Sequence, residues 1–257
     1  MGTILDKIVA NKRREVDARI ALLGDSFSTE PQRQPVSMSR ALLENPTGII
    51  AEFKRRSPSK GEIHPLALPA EIIPAYQDAG AAACSVLTDT VYFGGSLNDL
   101  AVARSVADIP LLRKDFIVST YQIDEARVYG ADAILLIAAV LTRDEVEHFT
   151  RHAHKLGLEV LFEVHNVNEI EKFSPEIDMV GVNNRDLSTF VTDPGLSMQI
   201  VKMLPENVVK VAESGLTSID EVEQLHQVGY SGFLIGETFM RHDRPGDALA
   251  KFLDGTL

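Results

Sequence analysis

Tryptophan is absent from the 257 residues and cysteine occurs once, at Cys84. A single cysteine excludes an intrachain disulfide and a cysteine-rich metal centre, and a cytoplasmic location is the simplest inference. Aromatics make up only 6% of the chain, and basic residues are outnumbered by acidic ones, 25 to 37. The resulting net charge of -12 argues against general affinity for nucleic acid or an anionic membrane, while a local basic site can still hold an anion. No apolar run is long enough to span a bilayer, and residues 1–20 carry too many charges to form the core of a signal peptide. Within them, Lys12-Arg13-Arg14 is diluted by Glu15 and Asp17 and reads as a solvated helix face. Also missing is any Gly-x-Gly-x-x-Gly or Walker-type loop after the first apolar run, so dinucleotide or nucleoside triphosphate binding has no local support.

What is present is a rhythm. At 45% hydrophobic and 24% charged the chain can bury one large core, as a single α/β barrel or as two smaller domains. Apolar, β-rich runs recur at 49–54, 83–88, 111–116, 133–138, 159–164, 179–183, 208–213 and 232–236, with helical stretches between them. Gly80, Gly130, Gly157 and Gly229 each follow a helical stretch, where a glycine can take the left-handed conformation that ends a helix. Ser119-Thr-Tyr-Gln122, Thr142-Arg-Asp-Glu145 and Ser218-Ile-Asp-Glu221 fit the capping box that starts one. Near-continuous apolar strands separated by amphipathic helices imply a parallel sheet covered by helices. Eight units in about 200 residues favour a closed (β/α)8 barrel over an open sheet. The predicted organisation is one barrel over 48–257 preceded by a helical extension over 1–47. In that extension Ile4, Leu5, Ile8, Val9, Val16, Ile20 and Leu23 recur at helical spacing, and the segment is expected to pack across one mouth of the barrel.

The polar residues fall where barrel chemistry falls, at the ends of strands and the start of βα loops. In the first strand Glu52 and Lys54 share a face, roughly 6 to 7 Å apart along it. Burying two ions costs several kcal/mol each, so a protein needing only a core could use Val or Leu there. A salt bridge at the rim of the sheet is the alternative. Later strands end in Arg113-Lys114-Asp115-Phe116, Glu163, Asn183-Asn184-Arg185-Asp186 and Glu213-Ser214-Gly215. Parity with Leu112, Leu161, Val209 and Val211 turns Lys114, Glu163 and Glu213 into the barrel mouth, and Asn183 and Arg185 share a face. Convergence of such groups from five strands is hard to explain by stability and points to a catalytic site. Gly215 after the seventh strand and Gly236 with Glu237 after the eighth are placed to cradle a phosphate with backbone N–H groups, with Ser57 and the Ser57-Pro-Ser-Lys-Gly61 loop as further donors. His148 and His152 stand at i and i+4, but no third metal ligand is evident at suitable spacing. Cys84, among alanines, reads as a packing residue.

The segments Ile50-Ala-Glu-Phe-Lys-Arg-Arg-Ser-Pro-Ser-Lys-Gly61, Leu87-Thr-Asp89, Tyr92-Phe-Gly-Gly-Ser96, Leu112-Arg-Lys-Asp-Phe-Ile117, Tyr121-Gln-Ile123, Gly181-Val-Asn-Asn-Arg-Asp-Leu187, Val211-Ala-Glu-Ser-Gly215 and Leu234-Ile-Gly-Glu237 occur in this order. The chain thereby resembles the indole-3-glycerol-phosphate synthase family of tryptophan biosynthesis, from its first helix to its last strand. One departure is that many members carry Asp-Pro where this chain has Ser119-Thr120. Serine is also a good N-cap, so the change touches only a helix start.

The resemblance implies a phosphosugar substrate, 1-(2-carboxyphenylamino)-1-deoxyribulose 5-phosphate, closed to an indole with loss of carbon dioxide and water. It implies Lys114 as general acid and Glu163 as general base. Lys54 would pair with the substrate carboxylate or assist dehydration, while Glu52, Asn183 and Glu213 orient the lysines and sugar hydroxyls. The acid role predicts that burial or nearby positive charge eases proton release from Lys114. Phe93, Phe116, Leu135 and Leu187 match positions that hold the aromatic ring, with Arg185 and Ser214 as further substrate contacts. Ser57, Gly215, Gly236 and Glu237, the last two by backbone, would hold the phosphate. No metal or organic cofactor is implied, and a monomer is expected rather than an obligate oligomer. Two rivals are a phosphoribosylanthranilate isomerase, usually run by a cysteine and aspartate pair, and a non-catalytic phosphosugar-binding barrel.

Overall fold

The computed structural model describes residues 3–25, 33–186, 191–193 and 195–257. The eight apolar runs form β1 (Ile49–Phe53), β2 (Ala83–Leu87), β3 (Leu111–Lys114), β4 (Ala133–Ile137), β5 (Glu159–Val164), β6 (Met179–Asn183), β7 (Val209–Glu213) and β8 (Gly232–Ile235). All neighbours are parallel and β8 pairs back onto β1, closing a (β/α)8 barrel in chain order, as the rhythm of the sequence predicts. Five of the strands, β1, β2, β3, β4 and β8, stop one or two residues short of the predicted ends, so Lys54, Asp115, Phe116 and Gly236 lie just past them, where the chain flares into the mouth.

Helices alternate with the strands. They are α1 (Ile4–Leu23), α2 (Met38–Glu44), α3 (Pro69–Asp78), α4 (Leu97–Val106), α5 (Thr120–Val128), α6 (Arg143–Lys155), α7 (Gly195–Ile200), α8 (Ile219–Gln227), α9 (Glu237–Met240) and α10 (Pro245–Leu253). Between β5 and β6 the connection is only a 3-10 segment, Val167–Lys172, capped by Asn166. Pro175 restricts Ser174 to extended backbone soon afterwards, which leaves no room for a longer helix. Gly80, Gly130, Gly157 and Gly229 all have positive φ at the predicted helix ends. The boxes Thr142/Glu145 and Ser218/Glu221 close as expected, and an unpredicted one, Thr3/Asp6, starts α1. Ser119 caps α5, but Gln122 does not complete its box. Its amide accepts from Val118 N and donates to the Phe116 carbonyl, at 2.8 and 2.9 Å, and so ties down the loop after β3.

Alternation divides the core in two. Ile50, Leu112, Leu135, Leu161, Met179, Val211 and Leu234 fill the barrel interior. Ala51, Phe53, Val86, Leu136, Phe162, Val180 and Phe233 face outward against the helices. The extension serves both ends of the barrel, where the sequence predicts one mouth. Ile4, Leu5 and Ile8 of α1 line the cavity at the C-terminal ends of the strands. Met38 and Leu42 of α2 pack into the opposite end, beside Gly232. Each of these two fully buried side chains contributes about 1.5–3 kcal/mol. The link is fixed by Glu159, which accepts from Ser37 Oγ, Ser39 Oγ and Ser39 N at 2.6, 2.8 and 2.8 Å.

Two features of α1 depart from its sequence pattern. Leu23 lies outside the packed stripe and is 65% exposed. Lys12, expected in solvent with Arg13 and Arg14, is only 2% exposed and reaches Asp89 at 2.9 Å and Asp115 at 3.0 Å. Arg13 and Arg14 do face water. Among the described residues no helix is long and apolar enough to cross a membrane.

Candidate active site

Inward parity near the ends of β1, β3, β5 and β6 brings Glu52, Lys114, Glu163 and Asn183 to one cavity of about 320 Å³, and Glu213 at the end of β7 reaches it through Lys114. The Lys114 ammonium is ringed by three carboxylates: Glu213 Oε2 at 2.7 Å, Glu163 Oε2 at 3.5 Å and Glu52 Oε2 at 4.0 Å. Lys54 lies against the other Glu52 oxygen at 2.6 Å. Space for these carboxylates is made by glycine. A Cβ on Gly181 would collide with the Glu213 carboxylate, and one on Gly236 with that of Glu52.

The cluster does not titrate as isolated groups. For Lys114, burial works to lower its proton affinity as predicted, but Glu213, Glu163 and Glu52 outweigh it and hold the ammonium well above the ordinary lysine range. Proton release is therefore not eased by these surroundings, contrary to the expectation from the sequence. Glu213 goes the other way: burial and the nearby Glu163 charge, against the pull of Lys114, push it up to about 8. Glu163 falls below the ordinary carboxylate range, because Lys114 and then His165 overcome the effect of burial. Glu52 is likewise lowered, with Lys54 and Lys114 outweighing burial. The surroundings thus favour the acid form at Glu213 and the carboxylate form at Glu163 and Glu52.

One wall of the cavity is apolar. Phe93 and Phe116 stand with ring centroids 6.1 Å apart, and Leu135, Ile137, Ile4, Leu5 and Ile8 complete the wall. The Phe93 loop is held by Asp89 Oδ1, which accepts from Tyr92 N at 2.7 Å and Phe93 N at 3.3 Å. Leu187 lies outside the described residues.

The opposite side is polar. After β1 the chain makes a small hairpin, Arg56–Ser57 with Gly61–Glu62, whose loop carries Ser57, Ser59 and Lys60. Arg185 donates to Ser59 Oγ at 2.7 Å and to Glu237 Oε2 at 3.3 Å, while Lys60 meets Glu237 Oε1 at 3.1 Å. Arg185 thus clamps the hairpin loop to the residue after β8. Asn183 Oδ1 accepts from Arg185 N at 3.0 Å and orients that clamp. Ser214 and Gly215 have φ of 67° and 79°, so the chain turns sharply after β7 and brings its backbone to the cavity beside Gly236 and Glu237. A serine in left-handed backbone is strained, and such strain clusters at binding sites.

The cavity therefore gathers every described residue singled out in the sequence: Glu52, Lys54, Ser57, Phe93, Lys114, Phe116, Leu135, Glu163, Asn183, Arg185, Glu213 through its neighbours, Ser214, Gly215, Gly236 and Glu237. His152, weighed as a metal ligand, instead pairs with Asp124 at 2.8 Å. Sequence reasoning missed His165 and did not say which mouth α1 covers. For His165 a signal existed, since it lies two residues beyond Glu163 and shares its parity.

Fold and site together define a (β/α)8 barrel of the enzyme class, with an ionisable cluster and an apolar wall sharing one cavity at the C-terminal ends of its strands. Solved structures agree on the fold. The tryptophan synthase complex of Pyrococcus furiosus aligns with a TM-score of 0.60 at 14% identity, over 82% of this chain and 97% of that one. The N-acetylmannosamine-6-phosphate 2-epimerase of Clostridium perfringens aligns with a TM-score of 0.61 at 16% identity, over 83% and 95%. The chain belongs to the indole-3-glycerol phosphate synthase family, whose model matches residues 5–252. Relatives of that name from Bacteroides thetaiotaomicron and Burkholderia multivorans are 48% and 43% identical, each over 98% of this chain and at least 98% of the relative. Members of the family are decarboxylating lyases of tryptophan biosynthesis.

Proposed function

We propose that this chain converts 1-(2-carboxyphenylamino)-1-deoxyribulose 5-phosphate to indole-3-glycerol phosphate, with Lys114 as acid and Glu163 as base. The observation that carries the assignment is the Lys114 ammonium, ringed by Glu213, Glu163 and Glu52 beside the Phe93 and Phe116 wall. The aromatic carbon bearing the carboxylate attacks the ribulose carbonyl carbon, and the carbonyl oxygen takes a proton from Lys114. An alkoxide is a stronger base than an amine, so the transfer is downhill even from a tightly held ammonium. The bond to the carboxylate then breaks, carbon dioxide leaves, and its electron pair restores the ring. An apolar wall favours that loss, since a charged group becomes a neutral gas. The new hydroxyl takes a proton from Lys54 and departs as water, Glu163 accepts the proton lost as the indole double bond forms, and the two lysines regain their protons from Glu163 and from solvent. Lys54, fixed by Glu52, faces the substrate carboxylate first and the departing hydroxyl afterwards. Ser57 and the backbone at Gly215, Gly236 and Glu237 hold the phosphate. The Glu237 carboxylate, engaged by Lys60 and Arg185, is turned away from that task.

The direct test is to add the carboxyphenylamino-deoxyribulose phosphate to purified protein and follow indole fluorescence, which meets no tryptophan emission from this chain. A rise proportional to enzyme concentration is expected. Tight binding with no indole formed would leave a phosphosugar-binding barrel in its place.

The packing at Gly236 supplies a second test. Gly236→Ala forces the Glu52 side chain aside and, through it, Lys54. Misplacement by about 1 Å can cost on the order of a hundredfold in rate, so kcat/KM is expected to fall by at least about tenfold. An unchanged kcat/KM would show that Glu52 does not position the lysines.

A further inference from the structure

One buried group at the mouth has no part in the reaction as drawn. His165 follows β5 directly, and its side chain is 9% exposed. Its Nε2 lies 3.2 Å from Glu163 Oε1, and its Nδ1 lies 3.4 Å from Glu169 Oε2. Both ring nitrogens are therefore buried at ion-pair distance from carboxylates, although neither is aligned on an oxygen as a hydrogen bond. A neutral ring has one lone pair and would leave it beside a carboxylate oxygen, whereas the imidazolium sets a positive charge against both. Glu169 is itself fixed, since Oε2 accepts from His165 N at 2.7 Å and Oε1 from Asn166 Nδ2 at 2.8 Å. The segment from Glu163 to Glu169 thus builds its own clamp around the ring.

We infer that His165 is a positioning residue: held as an imidazolium between Glu163 and Glu169, it makes Glu163, and not Glu213, the carboxylate left without a proton and able to act as base. The inference deepens the proposed function and rests on it. Its basis is the asymmetry of the two carboxylates. Both approach Lys114, whose single charge cannot serve both, and His165 touches Glu163 alone. Glu213 has no second cation, and besides Lys114 its carboxyl group meets Glu163 itself. The titration directions agree. Burial opposes protonation of His165, yet Glu163 and Glu169 together push it up to about 10. The charged groups around the ring are Glu163 on β5, with Lys114 and Glu213 behind it, and Glu169 on the 3-10 segment. Lys172 of that segment is engaged by the Ala138 and Leu141 carbonyls at 2.7 and 2.9 Å.

Two measurements on the full chain test this. In the unmodified protein, the ring nitrogens of His165 followed by NMR should remain doubly protonated through pH 8; a neutral ring at pH 7 would overturn the inference whether or not any turnover is seen. In His165→Asn, the acid limb of kcat against pH should move up by at least one unit, a tenfold loss of rate on that limb, while KM changes less than about threefold. Glu169→Gln should move the limb the same way by a smaller amount. Limbs that coincide with the unmodified enzyme would overturn the role of His165 while leaving the synthase reaction intact. Absence of indole from the unmodified enzyme would instead remove the proposed function, with the ring titration still reporting on the clamp.

Discussion

Lys114→Ala and Glu163→Gln are each expected to lower kcat by at least about a hundredfold while the protein stays folded. The reason for the loss is that both groups act on protons that move only in the transition state, so kcat and kcat/KM should fall together. The reason for retained folding lies in how the charges are shared. Removing Lys114 takes a partner from three buried carboxylates, but Glu52 keeps Lys54 at 2.6 Å and Glu163 keeps His165 at 3.2 Å. Glu213 is pushed up by burial and the Glu163 charge, so it can take up a proton when the ammonium is removed. Glu163→Gln preserves shape and leaves an amide oxygen for Lys114 to meet. Steady-state rates beside thermal melts separate the two effects, and near-normal rates in both variants would refute the acid and base roles.

The barrel and the inward set of side chains were legible because both rest on short periods. Alternation is local, so Leu112 fixes the direction of Lys114, Leu161 that of Glu163 and Val211 that of Glu213, with no knowledge of the tertiary structure. Parity says which way a side chain points but not what it meets. The Arg185 clamp joins residues 59, 185 and 237, and nothing local at any of them announces the other two. The strength with which Lys114 holds its proton depends on three distances across the barrel, and reading burial alone gives the wrong sign. Gln122 shows a third limit. It stands where a capping box wants a glutamine, yet its two-sided amide finds Val118 and Phe116 instead, and only the folded loop decides between these uses. Lys12 differs again, because its signal was there to be seen: Ile8, Lys12 and Val16 lie at i, i+4 and i+8, so the lysine fills a gap in the apolar stripe that Arg13 and Arg14 do not share.

That position predicts the second large effect. Lys12→Met should destabilise the protein by about 3 kcal/mol or more, the usual cost of leaving a buried charge without its partner. For a chain of this size the melting temperature should drop by roughly 6 to 12 °C. Methionine keeps the length of the side chain and removes only the charge, which now satisfies Asp89 and Asp115 at 2.9 and 3.0 Å. Asp115 retains Arg113 at 3.1 Å and Asp89 retains two backbone N–H groups, which sets the estimate at the low end of the range for broken buried pairs. Arg13→Met and Arg14→Met, on the solvent side of the same helix, should change stability by no more than about 0.5 kcal/mol. The pH dependence has a definite sign. Against the effect of burial, Lys12 and Arg113 lower Asp115 from its ordinary 3.8 to about 2, so that carboxylate contributes stability above pH 3.8 that is lost as pH falls through 2. In Lys12→Met the aspartate protonates more readily, and the gap from the unmodified protein should be widest near neutrality and narrow as the pH drops below 4. Activity should suffer as well, because Asp89 holds the Phe93 loop and Asp115 adjoins Phe116, and a loosened ring wall raises KM. A Lys12→Met protein that melts with Arg13→Met at pH 7 would mean that α1 is held by Ile8 and Val16 alone, and that its lysine is a passenger on the catalytic face.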